Sequence, residues 1–211
     1  MVVGITGGTA AGKTAVAQIM GSLGATVVDA DQIGRAVVER RPEVLQQLVD
    51  AFGRGILTPE GTLDRRGLGR MAFSSPSKRN KLNAIVHPHL LAALKAQVER
   101  ALCVNPRCWV VVDAALLPEW MSDPSSAQLL PSIDATVVVI ASEATQTARL
   151  VAKGLSRQEA LQRIRTQMPL DQVQARTQYA LHNEGSLRDL EARVQALWQQ
   201  LQRDREGLSS S

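Results

Sequence analysis

Short apolar runs that end in glycine or in a polar residue recur along the chain, and segments with helical spacing lie between them. Each run has the length and the bounded apolar character of a buried strand. The segment between the first two runs, residues 13–23, has helical spacing, so the three together form a βαβ unit with a right-handed crossover. The pattern predicts an α/β fold with a parallel five-stranded sheet flanked by helices. The five runs are residues 2–6, 26–28, 109–112, 137–140 and Tyr179–His182.

The stretch between the second and third predicted strands is helical in pattern. Asp31 is placed to cap a helix that continues through Val38, and Pro42 opens another that continues towards Phe52. Turn signals follow at residues 58–61 and 74–76. A long helical pattern covers residues 77–101, and we expect Pro88 to interrupt or kink it. No strand is predicted in this stretch, which therefore forms a helical insertion.

The last third of the chain continues the alternation of helices and strands. A helix is predicted over residues 142–153, and Ser156 with Glu159 forms a capping box that begins another one towards Gln167. The final helix, residues 186–202, carries leucine and valine on one face. The polar residues 203–211 are predicted to be a flexible tail.

Composition limits the classes of function. With 211 residues, of which 45% are hydrophobic, the chain fits one α/β domain with a small inserted or lid region. The net charge of +4 suits a polyanionic ligand, either a nucleotide or a nucleic acid. The basic residues are scattered, however, and only 3% of residues are aromatic, which disfavours a surface that stacks bases. We therefore expect no nucleic-acid partner.

Neither the cysteines nor the paired histidines suggest a metal centre. Cys103 and Cys108 match no zinc or redox spacing and are interpreted as free thiols. His87 and His89 diverge if they lie on one helix. The apolar start runs directly into glycines without a basic region before it, and no run approaches the ~20 residues of a membrane span. We expect a soluble, cytoplasmic protein without a membrane partner.

The loop after the first strand carries the strongest chemical signal. Residues 7–14 match the pattern G-x-x-x-x-G-K-[ST] between a predicted strand and a predicted helix, the context that this motif requires. Glycines let the backbone N–H groups face phosphates, and the helix N-terminus adds its positive dipole end. In such a loop Lys13 reaches the β- and γ-phosphates of ATP and Thr14 ligates Mg²⁺. The predicted nucleotide-binding residues are Gly8, Thr9, Ala10, Ala11, Gly12, Lys13 and Thr14.

Acidic residues lie at the ends of two buried strands. Asp29 and Asp31 lie at the end of the second strand, at the edge where parallel sheets place their ligands, and a carboxylate there can accept the proton of an attacking hydroxyl. Helix capping is the alternative role for Asp31. Asp113 ends an apolar strand in the manner of a Walker B acid, and it is a candidate magnesium ligand through water.

Basic residues surround the junction between the helices predicted over residues 142–153 and 156–167. Mobile lids often carry arginines that neutralise charge on a transferring phosphoryl group. Solvent exposure on a charged helix face is the simpler interpretation for most of these residues. Arg149 and Arg157 are the two candidates for a lid role.

Taken together, these motifs resemble the dephospho-CoA kinase family over almost the whole chain. The resemblance rests on the phosphate loop from Thr6 to Thr14, the segment from Leu23 to Asp31, and Arg35. Further matching elements are Phe52-Gly53, Gly61-Thr62-Leu63-Asp64-Arg65, His87-Pro88, Ala115-Leu116-Leu117-Pro118-Glu119, Gln167-Met168-Pro169 and Asn183-Glu184-Gly185. The phosphate loop is common to many families, whereas these elements in this order are far more specific.

The resemblance implies an ATP- and Mg²⁺-dependent kinase that phosphorylates the ribose 3′-hydroxyl of dephospho-CoA, the last step of coenzyme A biosynthesis. It implies a P-loop nucleoside-triphosphate hydrolase fold with a core of residues 1–31, 102–141 and 169–202. A substrate-binding region would cover residues 32–101 and a lid residues 142–168. A monomer or a weak homo-oligomer is expected.

The resemblance also implies residue roles. Asp31 would be the general base, Lys13 and Arg149 would be the other catalytic residues, and Asn183 with Gly185 would lie near the adenine of ATP. Thr14 and Asp113 would serve the metal. The substrate-binding candidates are Asp29, Arg35, Arg65, His87, Leu116 and Glu119.

Some positions depart from the family pattern. Ala115 stands where proline is usual, and Pro118 where phenylalanine is usual. In the lid, Lys153 replaces a second arginine and one residue is missing before Gly154. Lysine lacks the planar fork of arginine, so this contact is expected to differ.

One alternative stays open from the residues alone, and two others are disfavoured. Another P-loop kinase of a nucleoside, nucleotide or sugar-like alcohol would share Lys13, Thr14 and an acid after the second strand. A GTPase switch would need an N-K-x-D motif, which the chain lacks. A nucleic-acid-binding module would need clustered basic residues interleaved with aromatic ones.

Overall fold

A computed structural model describes residues 1–72 and 74–208, with the side chain of residue 208 left out. The strands are β1 (Val2–Gly7), β2 (Thr26–Asp29), β3 (Val110–Asp113), β4 (Ala135–Ile140) and β5 (Tyr179–His182). The helices are α1 (Lys13–Ser22), α2 (Ala30–Arg40), α3 (Pro42–Phe52), α4 (Arg65–Ala72), α5 (Pro76–Val104), α6 (Leu117–Ser122), α7 (Pro124–Ala127), α8 (Glu143–Ala152), α9 (Arg157–Arg165), α10 (Leu170–Gln174) and α11 (Leu187–Leu208). A 3₁₀ turn covers Arg54–Ile56.

The five strands form one parallel sheet in the order β2-β3-β1-β4-β5. Strands β1, β3 and β4 are almost wholly buried, which explains why they are continuous apolar runs without alternation. In register, Asp29 lies beside Asp113, and Asp113 lies beside Ile5. The fold therefore brings the ends of β1, β2 and β3 to one edge, where the phosphate loop begins.

Two apolar layers cover the sheet. One layer packs α1 and α11 against it through side chains such as Val16, Met20, Val194 and Leu201. The other packs α2, α3 and α5 through side chains such as Val37, Leu48, Leu91 and Leu94. Each of these eight side chains is at most 4% exposed, so the helices that frame the site rest on a close-packed core.

The predicted parallel five-stranded sheet is confirmed. All five strands occur where the apolar runs predicted them, within two residues at each end. The capping box at Ser156 is also confirmed, because its hydroxyl accepts from Glu159 N–H while the Glu159 carboxylate accepts from Ser156 N–H.

Several expectations for the helices are wrong. Asp29, not Asp31, caps α2: its Oδ1 accepts from Gln32 N–H at 3.0 Å, and Asp31 lies inside the first turn. Pro88 does not interrupt α5, which is assigned as one helix through it. The expectation that no strand lies between β2 and β3 is confirmed for the described residues, although an isolated antiparallel bridge joins Leu57 to Leu63 there.

The predicted flexible tail needs the same correction in part. Helix α11 continues through residues 203–208, and Arg205 in this part stacks its guanidinium over the Trp109 ring at 5.1 Å. Residues 209–211 of that predicted tail lie outside the described residues. None of the helices within 1–72 and 74–208 combines the length and apolarity needed to cross a bilayer.

Candidate active site

The phosphate loop connects β1 to α1 and has the backbone shape that its glycines predict. Gly12 immediately precedes α1 at φ 107°, in the left-handed region that disfavours side chains. Ala10 also takes a positive φ of 55°, and Ala11 N–H donates to Gly8 O at 3.1 Å. The loop thus curls tightly in front of the α1 N-terminus, and such a curl with its N–H groups can bind phosphate.

Lys13 lies over the front of this loop. Its Nζ donates to Gly7 O at 3.0 Å and to Gly8 O at 3.3 Å. Burial lowers the pKa of Lys13, while attraction to Asp113 and Asp31 opposes this shift. A cation held in this way is available to phosphate oxygens.

Thr14 and Asp113 meet at the sheet edge. Thr14 Oγ1 donates to Asp113 Oδ2 at 2.9 Å, and Asp113 is only 7% exposed. Burial raises the pKa of Asp113, against the hydrogen bond from Thr14 and the charge of Lys13. The two predicted metal-binding side chains are therefore in direct contact. The part of the chain that the structure describes contains no group of three or more His, Cys, Asp or Glu side chains that could hold a metal on its own.

Asp31 lies near these groups but keeps an exposed side chain. Its charge acts on both Lys13 and Asp113. Asp29 shares a cavity of about 390 Å³ with Thr14 and Asp113, whose other polar lining residues are Gln18, Gln32 and Gln97. The junction of β2 and α2 therefore carries one carboxylate, Asp29, that caps a helix and a second, Asp31, whose side chain is exposed.

Arg149 and Asn183 hold the loop from behind. Arg149 Nη1 donates to Ala10 O and Ala11 O at 3.1 and 3.2 Å, and its Nη2 donates to Asn183 O and Oδ1 at 3.1 and 3.2 Å. Asn183, which is 5% exposed, donates from Nδ2 to Ala11 O at 2.7 Å. Helix α8 and the end of β5 are thus tied to the loop backbone through these two side chains.

A second cavity, of about 500 Å³, opens on the other side of Lys13 and Thr14. Asn183 and Gly185 line it, and so do the apolar side chains of Leu187 and Leu190. Lys153, the residue after α8, lines it as well. Arg157, the other arginine singled out in the lid, lies exposed in the first turn of α9.

The predicted substrate-binding residues other than Asp29 fall into two groups. On α2 and α4, Arg65 donates to Arg35 O at 3.4 Å and forms an ion pair with Glu39. On α5 and α6, His87 Nδ1 accepts from Trp120 Nε1 at 3.2 Å, and burial lowers the pKa of His87. Leu116 is 38% exposed beside that second group.

Glu119 belongs to the second group and has an unusual environment. Its Oε2 is buried without a hydrogen-bond partner among the described residues. Burial raises the pKa of Glu119, and the charges of Arg176 and Arg79 oppose this shift. A buried acceptor of this kind suits a ligand that donates a hydrogen bond.

Two residues at the front of the phosphate loop, Gln167 and Gln146, are not among the site residues predicted from the sequence. Gln167, known only as part of a matching element, accepts from Thr9 N–H at 2.8 Å through its Oε1. Gln146 donates to Ala141 O at 2.7 Å, and its Oε1 is buried without a partner among the described residues. Only the Gln167-Met168-Pro169 match could have drawn attention to this position, since the contact spans 158 residues.

A glycine-curled loop between a parallel strand and a helix, with lysine, threonine and a strand-end aspartate around it, defines a P-loop nucleotide-binding protein. The sequence profile of the dephospho-CoA kinase family (CoaE) matches residues 1–189. The chain belongs to this family.

Individual relatives agree with the profile. A dephospho-CoA kinase of Geobacter sulfurreducens is 39% identical over 201 residues, which cover 93% of this chain and 96% of that protein. A dephospho-CoA kinase of Bacillus licheniformis is 38% identical over 198 residues, which cover 93% and 94%. The crystal structure of TT1252 from Thermus thermophilus matches with a TM-score of 0.73 and 32% identity, covering 95% of this chain and 97% of that one.

Proposed function

We propose that this protein transfers the γ-phosphoryl group of ATP to the ribose 3′-hydroxyl of dephospho-CoA, giving CoA and ADP. The observation that carries the proposal is the convergence of Lys13, Thr14 and Asp113 on the phosphate loop, beside the exposed Asp31, in a chain of this family. Phosphoryl transfer depends mainly on positioning and on electrostatic stabilisation, which such an arrangement supplies.

ATP binds with its phosphates in the loop formed by residues 8–14. The backbone N–H groups and the α1 N-terminus hold the phosphates, and Lys13 contacts the terminal ones. The base occupies the cavity lined by Asn183, Gly185 and Leu187, where apolar side chains can cover its faces.

Magnesium fits the oxygen donors at the sheet edge. Thr14 Oγ1 and Asp113 Oδ2 are 2.9 Å apart, and a hard cation of this kind prefers oxygen ligands that include substrate phosphates and water. Thr14 would be a direct ligand and Asp113 would act through water. When bound, the ion neutralises charge on the β- and γ-phosphates.

Asp31 acts as the general base. The 3′-oxygen attacks the γ-phosphorus, the bond from that phosphorus to the bridging oxygen of ADP breaks, and the hydroxyl proton passes to the Asp31 carboxylate. Lys13 stabilises the charge on the transferring group. Arg149 keeps the loop in shape and adds positive charge behind it.

Dephospho-CoA occupies the helical side of the site. We assign its contacts to Asp29, Arg35, Arg65, His87, Leu116 and Glu119. The region of residues 32–101 holds the acceptor, residues 142–168 form the lid, and the remaining helices and strands form the core. The proposed setting is the cytoplasm, and the proposed assembly is a monomer or a weak homo-oligomer without nucleic-acid or membrane partners.

The test is a comparison of acceptors. The purified protein is incubated with Mg²⁺, ATP and one of dephospho-CoA, a nucleoside, shikimate or gluconate, and ADP release is measured with and without each acceptor. The proposal expects kcat/KM for dephospho-CoA to exceed that of every other acceptor by orders of magnitude. A higher value for a nucleoside or a sugar-like acid would instead identify another small-molecule kinase.

A further inference from the structure

The contact between Gln167 and Thr9 places a lid residue on a phosphate-binding N–H group. Gln167 lies two residues after the lid helix α9, and its own N–H donates to Ile164 O at 3.3 Å, which continues the last turn of that helix. Its Oε1 accepts from Thr9 N–H at 2.8 Å. The carboxyl end of the lid is therefore hydrogen-bonded to the front of the phosphate loop.

The loop front faces the terminal phosphate. Lys13 Nζ contacts Gly7 O and Gly8 O, immediately before Thr9, and the lysine of such a loop serves the β- and γ-phosphates. The N–H groups at the α1 N-terminus, from Gly12 onwards, hold the phosphates nearer the base. Thr9 N–H is therefore at the γ-phosphate end of the loop.

We propose that Gln167 is a positioning residue that competes with the γ-phosphate of ATP for Thr9 N–H. One N–H group makes one good hydrogen bond, so a phosphate oxygen at this position displaces the Gln167 amide. ADP has no γ-phosphate and leaves the Gln167–Thr9 contact in place. The inference rests on the proposed binding of ATP at this loop, and it makes the lid end respond to which nucleotide is present.

The surroundings of Gly8 support this arrangement. A Cβ atom on Gly8 would lie 3.2 Å from Gln167 Oε1 and 3.1 Å from Gln146 Nε2, so the glycine makes room for two amide side chains over the loop. The buried Gln146 Oε1, 3.3 Å from the same point, has no partner among the described residues. Gln146 Oε1 can accept a hydrogen bond from the Gln167 side-chain amide once that amide has left Thr9 N–H.

Lid charge adds a second consequence. Lys153 lines the same cavity as Lys13, and repulsion from Lys153 and Arg163 contributes, after burial, to the lowered pKa of Lys13. Once the γ-phosphate releases Gln167, these cations are attracted to the bound triphosphate. The exchange of one hydrogen bond thereby frees the lid end when ATP, and not ADP, is bound.

The experiment measures the affinity of two nucleotides by titration calorimetry in the presence of Mg²⁺. AMP-PNP, which keeps a γ-phosphate, is compared with ADP on the wild-type chain, Gln167→Ala and Gln167→Glu. Gln162→Ala, an exposed position on the same helix α9, is the matched control. Gln167→Glu retains an acceptor for Thr9 N–H and adds a negative charge beside the γ-phosphate.

Removing the competing hydrogen bond should tighten AMP-PNP binding in Gln167→Ala by about 2- to 10-fold, while ADP binding changes less than about 2-fold. Gln167→Glu should weaken AMP-PNP more than ADP, and Gln162→Ala should change neither. If Gln167→Ala shifts the affinities for both nucleotides equally, or shifts neither, while the wild-type chain binds ADP, this inference alone is overturned. A wild-type chain that binds neither nucleotide would overturn the proposed function together with it.

Discussion

The side-chain amide of Asn183 occupies the space that a Cβ atom on Gly12 would need. Asn183 Nδ2 donates to Ala11 O at 2.7 Å, and a Cβ built on Gly12 overlaps that nitrogen. Gly12 also has φ 107°, which costs a side chain about 1–2 kcal/mol. The last glycine of the loop thus meets two requirements at once, backbone conformation and close approach to the end of β5.

Replacing Gly12 by alanine should therefore damage both stability and nucleotide binding. We expect Gly12→Ala to lower the free energy of unfolding by more than the ~1–2 kcal/mol of the backbone strain, because Asn183 must also move. Loss of its hydrogen bond to Ala11 would distort the loop and weaken ATP binding. Chemical denaturation and calorimetry measure the two effects.

Gly24→Ala provides the matched control for this change. Gly24 has a similar φ of 102°, but no atom of the described residues lies within 4 Å of a Cβ built there. It should show the strain alone, with unchanged ATP affinity. Equal destabilisation of the two variants would show that Asn183 does not restrict Gly12.

Replacing Asp31 by asparagine removes the proposed base. We expect kcat to fall by about 10²- to 10⁴-fold, because the proton of the acceptor hydroxyl has no carboxylate to receive it. ATP affinity should stay within about 2-fold, since the loop is unchanged. Steady-state kinetics and nucleotide titration give both values, with the exposed Asp50→Asn on α3 as control. Near-normal turnover in Asp31→Asn would remove Asp31 from the mechanism.

Asp113 should give stability a characteristic pH dependence. Burial raises the pKa of this carboxyl above its ordinary value of 3.8, so ionising it lowers the stability of the folded protein. This cost is present above the folded pKa and disappears as the pH falls below 3.8, where both folded and unfolded chains are protonated. Asparagine keeps an acceptor for Thr14 and never ionises.

We therefore predict that the difference in Tm between Asp113→Asn and the wild-type chain, measured without Mg²⁺, becomes more positive from pH 4 to pH 8. The same variant should gain less thermal stability from Mg²⁺ and ATP together than the wild-type chain does. Thermal melts across this pH range test both statements. A difference in Tm that does not vary with pH would mean that burial of the charge has no net cost.

Replacing Arg149 by lysine tests whether the hydrogen bonds from Arg149 hold the phosphate loop in shape. Lysine cannot reproduce the fork that reaches Ala10 O, Ala11 O and the Asn183 oxygens together. Hydrogen bonds from a charged group contribute about 1.5–3 kcal/mol, so we expect ATP binding to weaken about 10-fold or more. Arg100→Lys, on the exposed side of α5, should have no effect. If Arg149→Lys binds ATP normally, the Arg149 hydrogen bonds do not shape the loop.

The sheet and the phosphate loop could be predicted from the sequence because their signals are local. Buried parallel strands appear as continuous apolar runs, and the loop motif specifies its own backbone shape. The contact between Thr14 and Asp113 could be predicted from the sequence for a similar reason. The carboxyl ends of parallel strands lie at one edge of the sheet, so Asp113, the last residue of β3, lies close to the start of α1.

The errors arose where two residues compete for one role or where packing decides. Asp29 and Asp31 both suit a helix cap, and only the backbone at the end of β2 selects Asp29. Arg205 lies in a polar segment, yet its contact with Trp109 accompanies a helix that continues through it. Gln167 reaches Thr9 across 158 residues, a distance at which no periodicity carries information.

The most direct test of the account is the position of the transferred phosphoryl group. The wild-type protein is incubated with Mg²⁺, ATP and dephospho-CoA, and the product is analysed by phosphorus and proton NMR. The account predicts one product with the new phosphate on the ribose 3′-oxygen, formed in equal amount to ADP. Phosphate on the 2′-oxygen, or ADP formed without phosphorylated acceptor, would contradict it.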